Sequence, residues 1–166
     1  KPAEFYWQVE SIAVLKPIRY IRFKCNEVKT KAGRNTIIVE DDRTQRQTGA
    51  LQDVRYRITA SIVKRPGFAG GEAQLTDQFE RRVRVGKCYF QPSLGLRQFP
   101  AYYEWGESDC APEALDMDLG FMVYDVFDLH RWKVTRKAEP SVSVFHAQLK
   151  NGVLEVPPYD SPLVLK

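Results

Sequence analysis

The most regular stretch of the chain is "DVRYRITASIVK", residues 53–64, where Val54, Tyr56, Ile58 and Ile62 alternate with Arg55, Arg57, Thr59 and Ser61. A period of two predicts an antiparallel strand, with Val54, Tyr56 and Ile58 facing a core and both arginines facing outward. "SIAVLKPIRYIRFKC", residues 11–25, predicts a second extended segment. Pro17 marks an edge position or bulge there, because proline has no N–H to give to a ladder. "GFMVYDVFDL" is a further apolar run of strand-like composition. "FHAQLKNGVLEVP" predicts a hairpin around Asn151-Gly152, since a type I′ turn needs positive φ at both central positions.

One stretch departs from this period. In "EAQLTDQFERRVRVG" Leu75, Phe79 and Val83 fall four residues apart, which predicts a helix with one buried stripe and Gly86 at its C-terminal cap. Arg81, Arg82 and Arg84 then lie off the stripe, exposed. "RPGFAGGEA" before it reads as a mobile loop, and "GESDCAPEALDMD" as an acidic one. The class is α+β with a mainly antiparallel sheet.

Composition narrows the function more than the fold. The chain has 166 residues, 43% hydrophobic and 28% charged, which suits one domain or a compact two-lobed unit with a real core. A net charge of +4 and a pI near 9.0 permit nucleic-acid binding without demanding it. The distribution says more. Acids gather at Glu40-Asp41-Asp42 and across Glu104 to Asp118, while Arg and Lys dominate 16–34 and 81–97. Cys25, Cys88 and Cys110 form no C-x-x-C pair, which speaks against a zinc site or disulfide framework and for a reducing compartment. No run reaches membrane-spanning length and no signal peptide is visible, so the expected location is cytoplasmic, with no membrane partner. Opening on "KPAEFYWQV" without methionine, the sequence reads as a fragment.

Familiar catalytic patterns are absent. No G-x-S-x-G elbow, P-loop or dinucleotide fingerprint occurs, and Gly67, Gly70 and Gly71 suit a loop better than a phosphate cradle. Three adjacent carboxylates at 40–42 cannot all point at one ion from a strand, so a solvated turn is expected, with no metal and no cofactor. His130, in "DLHRW", reads as a loop or strand-end residue. His146 falls on the first strand of the hairpin, on the face of Val144 and Gln148, where a structural role and a chemical one are both open.

"FERRVRVGKCYFQPSLGLRQFPAYYE", residues 79–104, interleaves Arg81, Arg82, Arg84, Lys87 and Arg97 with Tyr89, Phe90, Tyr102 and Tyr103. Cationic grooves with aromatic platforms hold single-stranded RNA in this way. The same composition also suits a core of aromatics with a solvated basic rim.

A family resemblance bears on that choice. "VLKPIRYIRFKCNEV", "EDDRTQRQTGALQDVRY", "VGKCYFQPSLGLRQFPA", "MDLGFMVYD" and "FHAQLKNGVLEVP" follow one another in this order. Together they resemble the subtype I-C (Dvulg) branch of the fifth CRISPR-associated protein family, RNA-binding proteins of the RAMP superfamily. The resemblance implies a ferredoxin-like, RRM-related domain, here residues 1–85, followed by a small antiparallel β-sheet domain, residues 86–166. It implies an endoribonuclease that cuts CRISPR precursor RNA at the base of the repeat hairpin. The enzyme then stays on the 5′ handle of the mature guide RNA within the Cascade complex, beside other Cascade subunits and with accessory double-stranded DNA binding. A non-catalytic scaffold on the guide RNA is the alternative. Cleavage in this family uses the neighbouring 2′-OH and no metal.

The departures are specific. The family's first strand and helix, with a tyrosine implicated in cleavage, would precede Lys1, and the link between "NEV" and "EDD" is short. The family's Lys-His pair falls on Gln74 and Leu75, and neither can do acid–base work. Lys64, Arg65 and His146 are the substitutes within the chain, with His146 preferred because an imidazole is the side chain best suited to general-base work near neutral pH. Arg22, Lys24, Arg81, Arg82, Arg84, Lys87 and Arg97 are expected to form one RNA-binding surface.

Overall fold

The computed structural model describes residues 3–31, 33–106, 109–131, 133 and 139–166. It is α+β, mostly antiparallel, with few helices. Chain order is β1 (Phe5–Val14), β2 (Tyr20–Val28), α1 (Val39–Asp42), β3 (Arg43–Leu51), β4 (Tyr56–Lys64), α2 (Glu72–Arg84), β5 (Met117–Asp125), β6 (Ser143–Lys150), β7 (Val153–Glu155) and β8 (Val164–Leu165). A six-stranded sheet runs β4-β1-β7-β6-β5, with β8 also on β6, while β2 and β3 pair by themselves. Strands from both sides of residue 85 therefore share one sheet.

The core lies where that sheet meets the C-terminal segment. Val14, Leu129, Phe145, Ala147, Leu149, Leu154, Tyr159 and Val164 are buried together, with Ile12, Tyr56, Met122 and Tyr124 packed against them. β6 shows the cause, because Ser143, Phe145, Ala147 and Leu149 are buried and their alternates are not. Gln8 is buried with them at the core's edge, one of three buried polar residues, with Arg65 and Ser143, among the described residues. Its Nε2 donates to the Tyr124 hydroxyl at 2.6 Å and its Oε1 accepts from the Tyr159 N–H at 3.2 Å.

The hairpin turn forms as its sequence predicts, with φ of 48° at Asn151 and 72° at Gly152. Gly152 is also pinned from outside. Its carbonyl accepts from Val14 N–H at 2.8 Å and its N–H reaches Leu115 O at 2.7 Å. A Cβ there would lie 2.1 Å from the Glu113 carbonyl oxygen.

Two expectations need correction. Residues 11–25 are not one extended segment: β1 ends at Val14, β2 starts at Tyr20, and the strands belong to different sheets with Pro17 in the break. A prolyl nitrogen cannot continue the ladder, and here the chain leaves the sheet altogether. Ile58 does not face the core but is 62% exposed, whereas Ile62 is buried. The layer over β4 is α2, whose Phe79 packs on Trp7, the partner of Ile62. Ile58 lies roughly 13 Å further along the strand.

Candidate nucleic-acid interface

α2 sets the frame of the interface. Leu75 is buried, Phe79 and Val83 are half-buried, and the intervening turns face solvent. Phe79 stands between Trp7 and Trp105, with ring centroids at 4.6 and 5.4 Å. The helix ends in a Schellman motif: Gly86, at φ 67°, donates to Val83 O at 2.9 Å, and Lys87 N–H donates to Arg82 O at 2.8 Å. Lys87 is thereby fixed beside the last helical turn. Arg81 and Arg82 are exposed and, among the described residues, have no carboxylate within ion-pair distance. Arg84 differs. Its guanidinium holds the Glu80 carboxylate through both Nε and an η nitrogen, which compensates its charge.

The segment after the helix carries the aromatics, and they are not core. Tyr102 is 95% exposed, Tyr89 93% and Phe90 72%. A hydrogen bond between the Tyr103 and Cys88 side chains joins the two ends of the segment; desolvation, then this bond, push the Tyr103 hydroxyl above its usual range. Between them Leu94 N–H donates to Phe99 O at 3.0 Å and Phe99 N–H to Leu96 O at 2.9 Å, closing a turn with Arg97 on it. Phe99 then meets Phe23 of β2, centroids 6.0 Å apart. The Arg97 turn thus meets the Phe23 face of the β2–β3 pair.

That pair has two unlike faces. Half-buried Phe23, Cys25 and Glu27 lie opposite Thr48, Arg46 and Thr44, and Arg46 is 3.0 Å from Glu27. The other face presents Arg22, Lys24 and Asn26 opposite Gly49, Gln47 and Gln45, with Arg43 at its end. All are exposed, and no carboxylate stands among them. Arg22 and Lys24 were expected on the interface. Arg43, Gln45, Gln47 and Asn26 were not, although the alternation in "RTQRQTG" carries the signal.

The remaining expected residues are scattered. Gln74 is exposed and borders a cavity of about 380 Å³ with Phe5, Phe68 and Arg82, and Leu75 is its buried neighbour. Arg65 is 5% exposed and committed: its η nitrogens donate to the carbonyls of His130 at 2.6 Å and Leu129 at 2.8 Å, and its guanidinium covers Tyr6. It is a structural tie and presents nothing to a phosphate. Lys64 ends β4 at the sheet edge. His146 lies on β6, three strands from β4, roughly 14 Å at the usual spacing. Its Nε2 is 3.2 Å from Asp118 Oδ1. His130 is on a loop, as expected, 3.0 Å from Asp160 Oδ1. The acids at 40–42 form α1, a single exposed turn, where Asp42 accepts from Thr30 N–H at 2.8 Å. Among the described residues no group of three or more His, Cys, Asp or Glu could hold a metal ion, and no helix is long and apolar enough to cross a membrane.

No protein-family model matches the chain. It is 36% identical over 168 residues to the CRISPR pre-crRNA endoribonuclease Cas5d of Thermus thermophilus, covering 93% of this chain and 72% of that protein. It is 31% identical over 182 residues to the protein of the same name in Mannheimia succiniciproducens, covering 96% of this chain and 77% of that one. Among solved structures it is similar to a functionally uncharacterized protein from Streptococcus mutans, with a TM-score of 0.59 over 100% of this chain and 78% of that one. Their 13% identity makes this a likeness of fold alone.

Proposed function

The chain belongs to the Cas5d family of CRISPR pre-crRNA endoribonucleases, and from that membership we propose that it binds CRISPR precursor RNA and cleaves it. The observation that carries this reading is identity above 30% to two such enzymes across more than nine-tenths of the chain. The surfaces support it. Arg81, Arg82, Lys87 and Arg97 are exposed, as are Tyr89, Phe90 and Tyr102 of the same segment, and Arg22 and Lys24 share an acid-free face of the β2–β3 pair, the one turned away from Phe23 and Phe99. Cations in this arrangement serve phosphates, and the rings serve unpaired bases.

The reaction we assign is transfer within the RNA. The 2′-OH attacks the adjacent phosphorus, a base takes its proton, a cation stabilises the phosphorane, and an acid protonates the departing 5′-oxygen. The products are a 2′,3′-cyclic phosphate and a 5′-hydroxyl. His146 is the general base we put forward, because Asp118 holds its imidazole as an orienting carboxylate does in other acid–base pairs. In this reading residues 1–85 are the remainder of a ferredoxin-like RAMP domain and 86–166 a β-sheet domain whose strands join the sheet that β1 and β4 begin. The protein works in the cytoplasm, keeps the 5′ handle of its product, and joins other Cascade subunits, with double-stranded DNA as an accessory ligand.

A second reading rests on the resemblance alone, which puts the family's Lys-His pair on Gln74 and Leu75. A scaffold that binds guide RNA without cutting would keep the cationic surface and lose that pair. Incubating the full-length protein with its repeat transcript in EDTA separates the two. Cleavage supports the enzyme, and tight binding without cleavage supports the scaffold.

A further inference from the structure

We propose that the cavity beside the first turns of α2 is a pocket for one unpaired nucleobase of the RNA; this rests on the RNA-binding reading above. Gln74, Gln78 and Arg82 follow at i, i+4 and i+8 and so line up along one side of the helix. Phe5 and Phe68 supply its aromatic walls and Glu4 its carboxylate. At about 380 Å³ the space is within the range that takes a small planar ligand.

The chemistry of the lining selects that ligand. An aromatic face next to side-chain amides stacks a base while donating to and accepting from its edge. An arginine one helical turn beyond the amides suits the adjoining phosphate. The stacking ring is held in place by the chain itself. Phe68 folds back over Gly70, where a Cβ would lie 2.3 Å from the ring's Cζ. Glycine at 70 therefore lets the ring stand at the cavity, and an added methyl would push it away. No φ constraint applies at Gly70, so the methyl acts on the ring and not on the backbone.

The test uses full-length protein and a single-stranded uridine decamer carrying one central 2-aminopurine, whose fluorescence falls when it stacks. Wild type is expected to bind and quench it. Phe68→Ala and Gly70→Ala are expected to weaken binding roughly tenfold and to lower the quench at saturation, the size of one lost base–ring stack. Lys24→Ala is expected to weaken binding and leave the saturated quench unchanged. Should Phe68→Ala fail to fold, Gly70→Ala and the exposed Gln78→Ala carry the same comparison. Wild-type affinity and quench in these variants overturn the pocket while leaving the RNA reading intact. A wild type that binds its repeat transcript but not the decamer overturns the pocket alone, and one that binds neither RNA overturns both.

Discussion

His146 Nε2 lies 3.2 Å from Asp118 Oδ1 across the β5–β6 pair, with the Phe121 ring edge-on to the imidazole at 5.5 Å. The carboxylate fixes which way the ring points, and the half-exposed imidazole remains open to a ligand. As a general base it should matter to the rate and little to affinity. His146→Ala is expected to slow single-turnover cleavage of repeat RNA by about 10²-fold or more, with a dissociation constant close to wild type. An unchanged rate makes the residue structural.

Three aspartates, Asp53 through its hydrogen bond from Lys16 and then Asp118 and Asp160, make stability depend on acid. Asp118 is held below the usual carboxylate range by the Gly120 N–H, and His146 adds to the effect. Asp160 is lowered by its hydrogen bonds from His130 and then Lys166. A depressed folded pKa contributes stability above the ordinary carboxylate value, and that contribution is lost as pH falls through the folded value. The melting temperature is therefore expected to fall as pH drops below about 4. Asp160→Asn should melt lower than wild type near neutrality and show a shallower acid loss. A wild-type slope in that variant would remove the His130–Asp160–Lys166 tie from the account.

Gly86 and Gly152 have almost the same positive φ, 67° and 72°, but unlike surroundings. Nothing lies within 4 Å of a Cβ at Gly86, while one at Gly152 meets the Glu113 backbone. Gly86→Ala should cost only the left-handed penalty, about 1–2 kcal/mol, or a few degrees of melting temperature. Gly152→Ala adds a backbone collision on top of this. Thermal melts should show it as much the more damaging of the two, and equal losses would contradict the close approach at Glu113.

The cations differ in how free they are. Among the described residues no carboxylate stands within ion-pair distance of Lys87, Arg97 or Lys24, whereas Arg84 is held by Glu80. Replacing any one of the first three by Ala should lower the slope of log affinity against log salt by about 0.7 for single-stranded RNA. Arg84→Ala should change it much less. Equal slopes for all four would dissolve the distinction.

Local rules reached some of this structure and missed the rest for identifiable reasons. Asn151-Gly152 and the Leu75–Phe79–Val83 stripe were legible because turn chemistry and helical spacing act within a few residues. Ile58 was misread because alternation tells which residues share a face, not how far the covering layer extends. The separate β2–β3 sheet was hidden because its anchor, Phe23 on Phe99, joins positions 76 apart in sequence. Arg65 reads in sequence as a catalytic substitute, because its carbonyl partners, Leu129 and His130, lie 64 and 65 positions away.

The most direct measurement is a single-turnover reaction of full-length protein with its own repeat transcript in EDTA, resolved on a sequencing gel with the product ends identified. The account predicts one cut at the base of the repeat hairpin, leaving a 2′,3′-cyclic phosphate and a 5′-hydroxyl, with the 5′-handle fragment still bound. A transcript that stays uncut, whether bound or not, or one cut only after a divalent metal is added, would contradict it.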